Sequence, residues 1–279
     1  MKIETPAKVN LSLRVRSRAE SGYHPLLSVV QAIEPLDTLF FEPADDDLLD
    51  IRGIRLQVDD DNLIWKAVRA AVPDRKRGLH IKLVKEIPTA AGLGGGSSDA
   101  AAALLAMAAL FTVEDPAALA AGIGADVPFF LAGGLARMEG YGEILTALTP
   151  AGGYHLALVV PPFDLSTPAV YDTWDRLEQP RGFMVAGSDL PPSLRPLGPF
   201  VNDLYPAAVA LAPQLDDWRA ELAGRWSRPV LMSGSGPSLF GFFGSEEEAR
   251  EAVDLVPPGS RYAGAAAPLR HGARLVDDG

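Results

Sequence analysis

The stretch Pro88-Thr-Ala-Ala-Gly-Leu-Gly-Gly-Gly-Ser-Ser98 constrains this chain more than any other. The alternating run Ile81, Leu83, Lys85, Ile87 before it reads as a strand, and the Ala/Leu-rich run after Asp99 reads as a helix. Strand, glycine loop and helix N-terminus in that order make an anion-binding arrangement. The unpaired N–H groups of the helix's first turn, after Ser97 or Ser98, point at the guest, and glycine lets the backbone approach it. Gly92, Gly94, Gly95 and Gly96 each cost about 0.5–1 kcal/mol relative to alanine wherever the conformation does not demand them, so something must lie close to this backbone. A phosphate is the expected guest.

At 279 residues with 48% hydrophobic content, the chain is long enough for two domains with their own cores. A formal charge of -11 argues against a nucleic-acid or anionic-membrane partner, so any phosphate must be bound locally. Without cysteine there is no disulfide, thiolate metal site or Cys nucleophile, which suits a cytoplasmic enzyme. The longest apolar run, Ala100 to Phe111, falls short of the roughly 20 residues of a membrane span, and Met1 to Lys8 lacks the apolar core of a signal peptide.

From Ala7 to Arg16, alternation predicts a half-buried strand with Lys8 and Asn10 on its polar face. Read from the strand alone, Lys8 is a solvated lysine. Gly22 and Pro25 mark a turn carrying Tyr23 and His24, which is either a surface loop or a stacking face and hydrogen-bonding edge for a planar ligand. Leu26 to Leu36 and Thr38 to Phe41 read as strands, and Asn62 to Ala71 as a helix capped by Asp61 or Asn62. Asp99 complements a helix dipole. Asp126 precedes Val127-Pro128 at an N-cap position, where it either only caps or is rigidly placed for chemistry.

Gly133 to Leu145 reads as a strand pair, and the Gly/Pro cluster at Thr149 to Gly153 divides the chain into residues 1–150 and 151–279. Beyond it we expect a strand at His155 to Val160, a helix capped by Thr167-Pro168, and a long mobile connection over 180–199. A helix at Val209 to Leu222, a second glycine loop at Ser233-Gly-Ser-Gly-Pro-Ser238, and a frayed end from about His271 complete the expectation.

Two familiar phosphate loops are excluded. A Walker loop needs Gly-Lys-Ser/Thr, and Gly96-Ser97-Ser98 has no lysine. The dinucleotide fingerprint needs a third glycine where Ser97 stands.

Pro88-x-x-Ala-Gly-Leu-Gly-Gly-Gly-Ser-Ser98 does resemble the phosphate loop of the GHMP kinases. Pro6-Ala-Lys-Val-Asn-Leu11 and Met232-Ser-Gly-Ser-Gly-Pro-Ser238 match that family's other two motifs, in order. Gly22-Tyr-His24 and Gly124-Ala-Asp-Val-Pro128 are similar to the branch that acts on methylerythritol linked to cytidine diphosphate.

The resemblance implies a two-domain α+β fold with the active site between the domains, and ATP-dependent phosphorylation of the 2-hydroxyl of that small-molecule cytidine diphosphate substrate. It implies Asp126 as catalytic base and Lys8 as its orienting partner. Pro88, Thr89, Ala90, Ala91, Gly92, Leu93, Gly94, Gly95, Gly96, Ser97 and Ser98 would bind ATP, with a Ser97 or Ser98 hydroxyl near the phosphates or Mg2+, the nucleotide's counter-ion. Asn10, Tyr23, His24, Thr167 and Tyr171 would bind substrate, His24 through the base edge, and Gly234, Ser235 and Gly236 would close over the site. Asp172 stands where the branch often has lysine. Asn62 and Lys66 are candidates for adenine. We expect no dedicated protein metal site, and a monomer or weak homodimer.

Three rivals share parts of this pattern. Another GHMP-type kinase would not need Gly22-Tyr-His24, a non-catalytic anion binder would not need Lys8 and Asp126, and a dinucleotide oxidoreductase fits the loop poorly.

Overall fold

The computed structural model describes residues 1–53, 62–111, 113 and 115–276. Alternating apolar residues make Lys2–Val15 a long strand, β1, but neither of its faces is open in the middle: Lys8, Asn10 and Ser12 are as buried as Val9 and Leu11. The half-buried reading fails because the polar side of β1 faces other polar groups of the protein and not solvent. β2 (Leu26–Ala44) is one continuous strand where two were expected, pairing antiparallel along β1 with register shifts that absorb the irregularity.

Next come β3 (Leu48–Gly53), α1 (Leu63–Ala71) and β4 (Gly78–Lys85), with β3 and β4 parallel. Asn62 caps α1 by accepting from Ile64 N at 2.9 Å; Asp61 lies outside the described residues. After the glycine loop come α2 (Gly95–Leu110), α3 (Pro116–Ile123), α4 (Val127–Ala132), and the hairpin β5 (Leu135–Gly140) and β6 (Ile144–Ala147). The alanines of α2 let it pack close: Ala100 to Ala103 are fully buried among Ile3, Val30, Leu39 and Ile81 of the sheet.

The rest begins with β7 (His155–Val160) and α5 (Thr167–Arg176), then β8 (Met184–Val185) and β9 (Phe200–Val201). The 180–199 connection, expected to be loose, is anchored by Val185, Leu190 and Leu194, which are buried with Phe200. The expected helix over 209–222 is two helices, α6 (Tyr205–Leu211) and α7 (Gln214–Trp226), because Pro213 interrupts the first. β10 (Leu231–Met232), β11 (Leu239–Phe243), α8 (Glu246–Asp254) and β12 (Tyr262–Ala266) follow.

The expected fray is a strand, β13 (Arg274–Val276), paired with Lys2 to Glu4 of β1. The larger sheet runs β13-β1-β2-β4-β3, with β5 on β2 and β6 on β5; the smaller runs β10-β11-β7-β12. Val9 and Leu11 of β1 share a core with Leu156 and Leu158 of β7 and Phe240 of β11. That contact fixes β1, which carries Lys8 and Asn10, against the second sheet, each full burial of such a side chain contributing about 1.5–3 kcal/mol. No helix among the described residues is long and apolar enough to cross a membrane.

Candidate active site

One cavity of about 770 Å3 collects residues far apart in sequence: Lys8 and Asn10 from β1, the loop from Pro88 to Ser97, Asp126, and Tyr171. Tyr23, His24, Thr167, Gly234 and Ser235 line it as well. Ser98 and Gly236 do not.

Helix α2 begins inside the glycines, two residues or more before the expected serines. Gly94 is its cap residue with φ +73°, so the N–H groups of Gly95, Gly96 and Ser97 occupy the first turn, without intrahelical partners. Three of the glycines are required by protein neighbours. A Cβ on Gly92 would lie 2.4 Å from Ser233 O, one on Gly94 2.6 Å from the Phe130 ring, and one on Gly95 2.9 Å from Lys85 Nζ. At Gly96 the nearest atom is Leu63 Cδ1 at 3.8 Å, an ordinary contact, so this glycine alone faces open space on the cavity side.

Ser98 departs from its expected role. Its N–H is bound to Gly94 O, its hydroxyl donates to Pro6 O at 2.5 Å and contacts Thr5 Oγ1 at 2.6 Å, and it ties α2 to β1.

Lys8 Nζ stands 3.6 Å from Asp126 Oδ2 and donates to Asn10 Oδ1. Asn10 Nδ2 donates in turn to Ser28 Oγ at 2.8 Å, and Ser28 Oγ to Ser12 O at 2.6 Å. The lysine's stem is buried, so its ammonium has a fixed place. Asp126 sits at the N-cap position of α4, yet its side chain accepts no capping bond. Its carboxylate, about a third exposed, faces Lys8 and the cavity.

The second glycine loop is locked to the first. Ser233 Oγ donates to Gly92 O at 3.0 Å and accepts from Asn10 N at 3.1 Å, while Asn202 Nδ2 donates to both Met232 O and Gly234 O at 2.8 Å. Thr167, expected to cap α5, makes no such bond; Ser166 is the cap residue, and Thr167 Oγ1 bonds Ser235 Oγ at 2.7 Å.

At the far end, His24 stacks on Tyr171 with ring centres 5.3 Å apart and 30° between planes. Its Nδ1–H donates to Arg16 O at 2.9 Å, and its Nε2 meets Asp175 Oδ2 at 3.2 Å and Arg18 Nε at 3.4 Å. Both nitrogens thus have protein partners, so the imidazole edge expected to face a base is engaged in building the wall. Burial, and then the Asp126 charge, push the Tyr171 phenol up to about 12, which keeps it neutral. Tyr23 is 71% exposed and meets Tyr141 edge-on at 6.2 Å.

Residues 62–134 match the model of the GHMP kinases N terminal domain. The 4-diphosphocytidyl-2-C-methyl-D-erythritol kinase of Cereibacter sphaeroides is 41% identical over 90% of this chain and 92% of its own. The chain belongs to this family of GHMP kinases. The Geobacter metallireducens member is 35% identical over 93% of this chain and 95% of its own. A crystal structure of 4-(cytidine 5'-diphospho)-2C-methyl-D-erythritol kinase superposes with TM-score 0.75 at 36% identity, covering 96% of this chain and 99% of that one. Homoserine kinase from Cytophaga hutchinsonii, at TM-score 0.69 and 18% identity over 99% of this chain and 97% of its own, shares the fold.

Several residues of this GHMP kinase site carry no mark in the sequence. Lys85 lies buried between Asp37 and Asp99, with Nζ 2.6 Å from Asp99 Oδ2, beneath the start of α2. Burial pulls its ammonium down, but the two carboxylates outweigh that and hold it above its usual value. Asp99, expected to serve only the helix dipole, is held well above the usual carboxylate range, because burial together with Asp37 outweighs Lys85. Its Oδ1 has no partner. Arg18 bridges the His24 turn to α5 through Asp172 at 2.6 Å and Asp175 at 3.3 Å, which gives Asp172 a local partner. Neither Asn62 nor Lys66 lines the cavity, whereas Leu63 does.

Proposed function

We propose that this chain transfers the γ-phosphoryl group of ATP to the 2-hydroxyl of 4-diphosphocytidyl-2-C-methyl-D-erythritol, a step in non-mevalonate isoprenoid precursor synthesis. Kinase activity and its acceptor follow from family membership. The division of labour rests on one observation: Lys8 and Asp126 meet at 3.6 Å in a cavity bounded by a helix N-terminus and an aromatic wall.

Phosphoryl transfer asks a protein mainly for positioning and charge stabilisation. The first-turn N–H groups of α2, reached over Gly96, hold the phosphates of ATP. The acceptor oxygen attacks the γ-phosphorus in line; the new O–P bond forms as the bond to the β,γ-bridging oxygen breaks, and ADP leaves. The hydroxyl proton passes to the Asp126 carboxylate. Lys8 holds that carboxylate and offsets charge on the group in flight, and Asn10 fixes Lys8.

Mg2+, when bound, neutralises phosphate charge. The ion would be carried by the nucleotide's phosphates, with the Ser97 hydroxyl as a donor on the cavity wall.

Tyr23 and Tyr171 offer flat faces for cytosine, and His24 sets the position of Tyr171. The proposed division near residue 150 places the cavity between two halves. We assign the enzyme to the cytoplasm, as a monomer or weak homodimer without a nucleic-acid partner, from its charge and lack of cysteine.

ADP release measured with the cytidyl-methylerythritol conjugate, homoserine, mevalonate and galactose tests the reading. Release with the cytidyl conjugate alone is expected. No release with any acceptor overturns the kinase assignment, and release only with another acceptor overturns the substrate.

A further inference from the structure

Three arginines of this acidic protein surround a second cavity without a partner. Arg14 and Arg16, at the end of β1, and Arg181, after α5, line a space of about 590 Å3. Among the described residues none of their guanidinium groups makes a hydrogen bond or ion pair. Other arginines, such as Arg225 with Glu221 at 2.7 Å and Arg261 with Asp164 at 2.6 Å, are paired, whereas these three stand together around one space. The acidic side chain on the cavity wall, Asp203, is already bound through Oδ2 to Val15 N at 3.1 Å.

In a chain of net charge -11, three like charges around one space repel one another, and the single Asp203 carboxylate on the wall offsets them only in part. The remaining wall combines apolar side chains, Trp174, Leu27, Val201 and Met184, the last 60% exposed, with Ser17 and Gln179, which bond each other at 2.7 Å.

We infer that this cavity is a binding site for a small organic phosphate or diphosphate with an apolar body. Guanidinium forks match phosphoryl oxygens two at a time, and the volume falls within the range of small-molecule sites, about 300–1,000 Å3. The site is separate from the catalytic cavity but shares its back wall. Trp174 meets His24 edge-on at 5.6 Å, and the Arg16 carbonyl holds His24 Nδ1. Occupancy therefore shifts the KM for the cytidine substrate, an effect that rests on the function proposed above; binding itself does not.

Calorimetry tests binding without turnover. The catalytic cavity is saturated with ADP and cytidine 5'-diphosphate, and hexyl diphosphate or inorganic pyrophosphate is then titrated in. The expected result is one further saturable site, with hexyl diphosphate bound about tenfold more tightly than pyrophosphate, since burying even two methylenes suffices for that ratio. Arg14→Ala/Arg181→Ala should weaken hexyl diphosphate about tenfold or more, and Arg181→Glu should weaken it too, while basal kcat and both KM values stay unchanged. No binding to the saturated enzyme, or an affinity unaltered in both variants, overturns the site. Equal affinity for the two probes overturns the apolar part of the ligand.

Discussion

Asp126 occupies the N-cap position of α4 but gives its carboxylate to Lys8, 3.6 Å away, and to no backbone N–H of its own helix. A capping aspartate stabilises its helix by typically about 1 kcal/mol, and this one forgoes that contribution. Asp126→Asn should therefore leave the Tm within about 2 °C of wild type while kcat falls about 10²–10⁴-fold, the range a positioned proton acceptor supplies. Thermal unfolding and steady-state ADP release check it. A drop in Tm with near-normal kcat would reinstate the cap.

Gly94 and Gly96 separate two reasons for glycine within one loop. Alanine at Gly94 meets a positive φ and the Phe130 ring, and should cost about 2 kcal/mol or more. Alanine at Gly96 meets open space in a helical first turn, so Gly96→Ala should fold at least as stably as wild type and raise the KM for ATP about tenfold. Denaturant unfolding and ATP titration read the two effects separately. An unchanged KM in Gly96→Ala would remove the loop's backbone from phosphate binding.

Lys85→Met leaves Asp37 and Asp99 buried face to face and should lose about 3–5 kcal/mol of stability, as broken buried pairs do. The pH dependence has a definite sign. Folded Asp99 holds its proton more tightly than the unfolded chain, whose carboxyl titrates near 3.8, so its contribution to stability falls as pH rises from there toward the raised folded value. Asp99→Asn has no such proton. The Tm of wild type minus that of the variant should decline with pH across this window; a difference that grew would mean that Asp99 is ionised and stabilising.

His24→Ala removes the ring that stacks on Tyr171, and should raise the KM for the cytidine substrate about tenfold more than the KM for ATP. The same split is expected of Tyr171→Ala. Equal effects on both substrates would make the His24 turn a general support of the cavity.

Much of this site is legible in the chain because its chemistry is carried by backbone. Strand, glycine run and alanine helix declare an anion site through local rules alone. What escaped is what depends on distant neighbours. Lys85 shares a strand face with Leu83 and Ile87, and nothing in that run names the two carboxylates that converge on it. Ser98 is indistinguishable in composition from Ser97, yet a step of about 100° around the helix sends one hydroxyl to Pro6 and leaves the other at the cavity. Gly92 looked like a phosphate contact, and its nearest constraint is the second glycine loop. Arg18 reached the site from a turn crowded with arginines, where no spacing singled it out.

The pairing of β13 with the first residues of β1 has a consequence for biosynthesis. The strand bearing Lys8 and Asn10 keeps an unpaired stretch of edge until residues 274–276 have left the ribosome. Until then this kinase exposes, on the strand that carries Lys8, a template that another nascent chain could join. The closing strand is thus a late seal against aggregation, and trimming it should first show as lost solubility of the newly made protein.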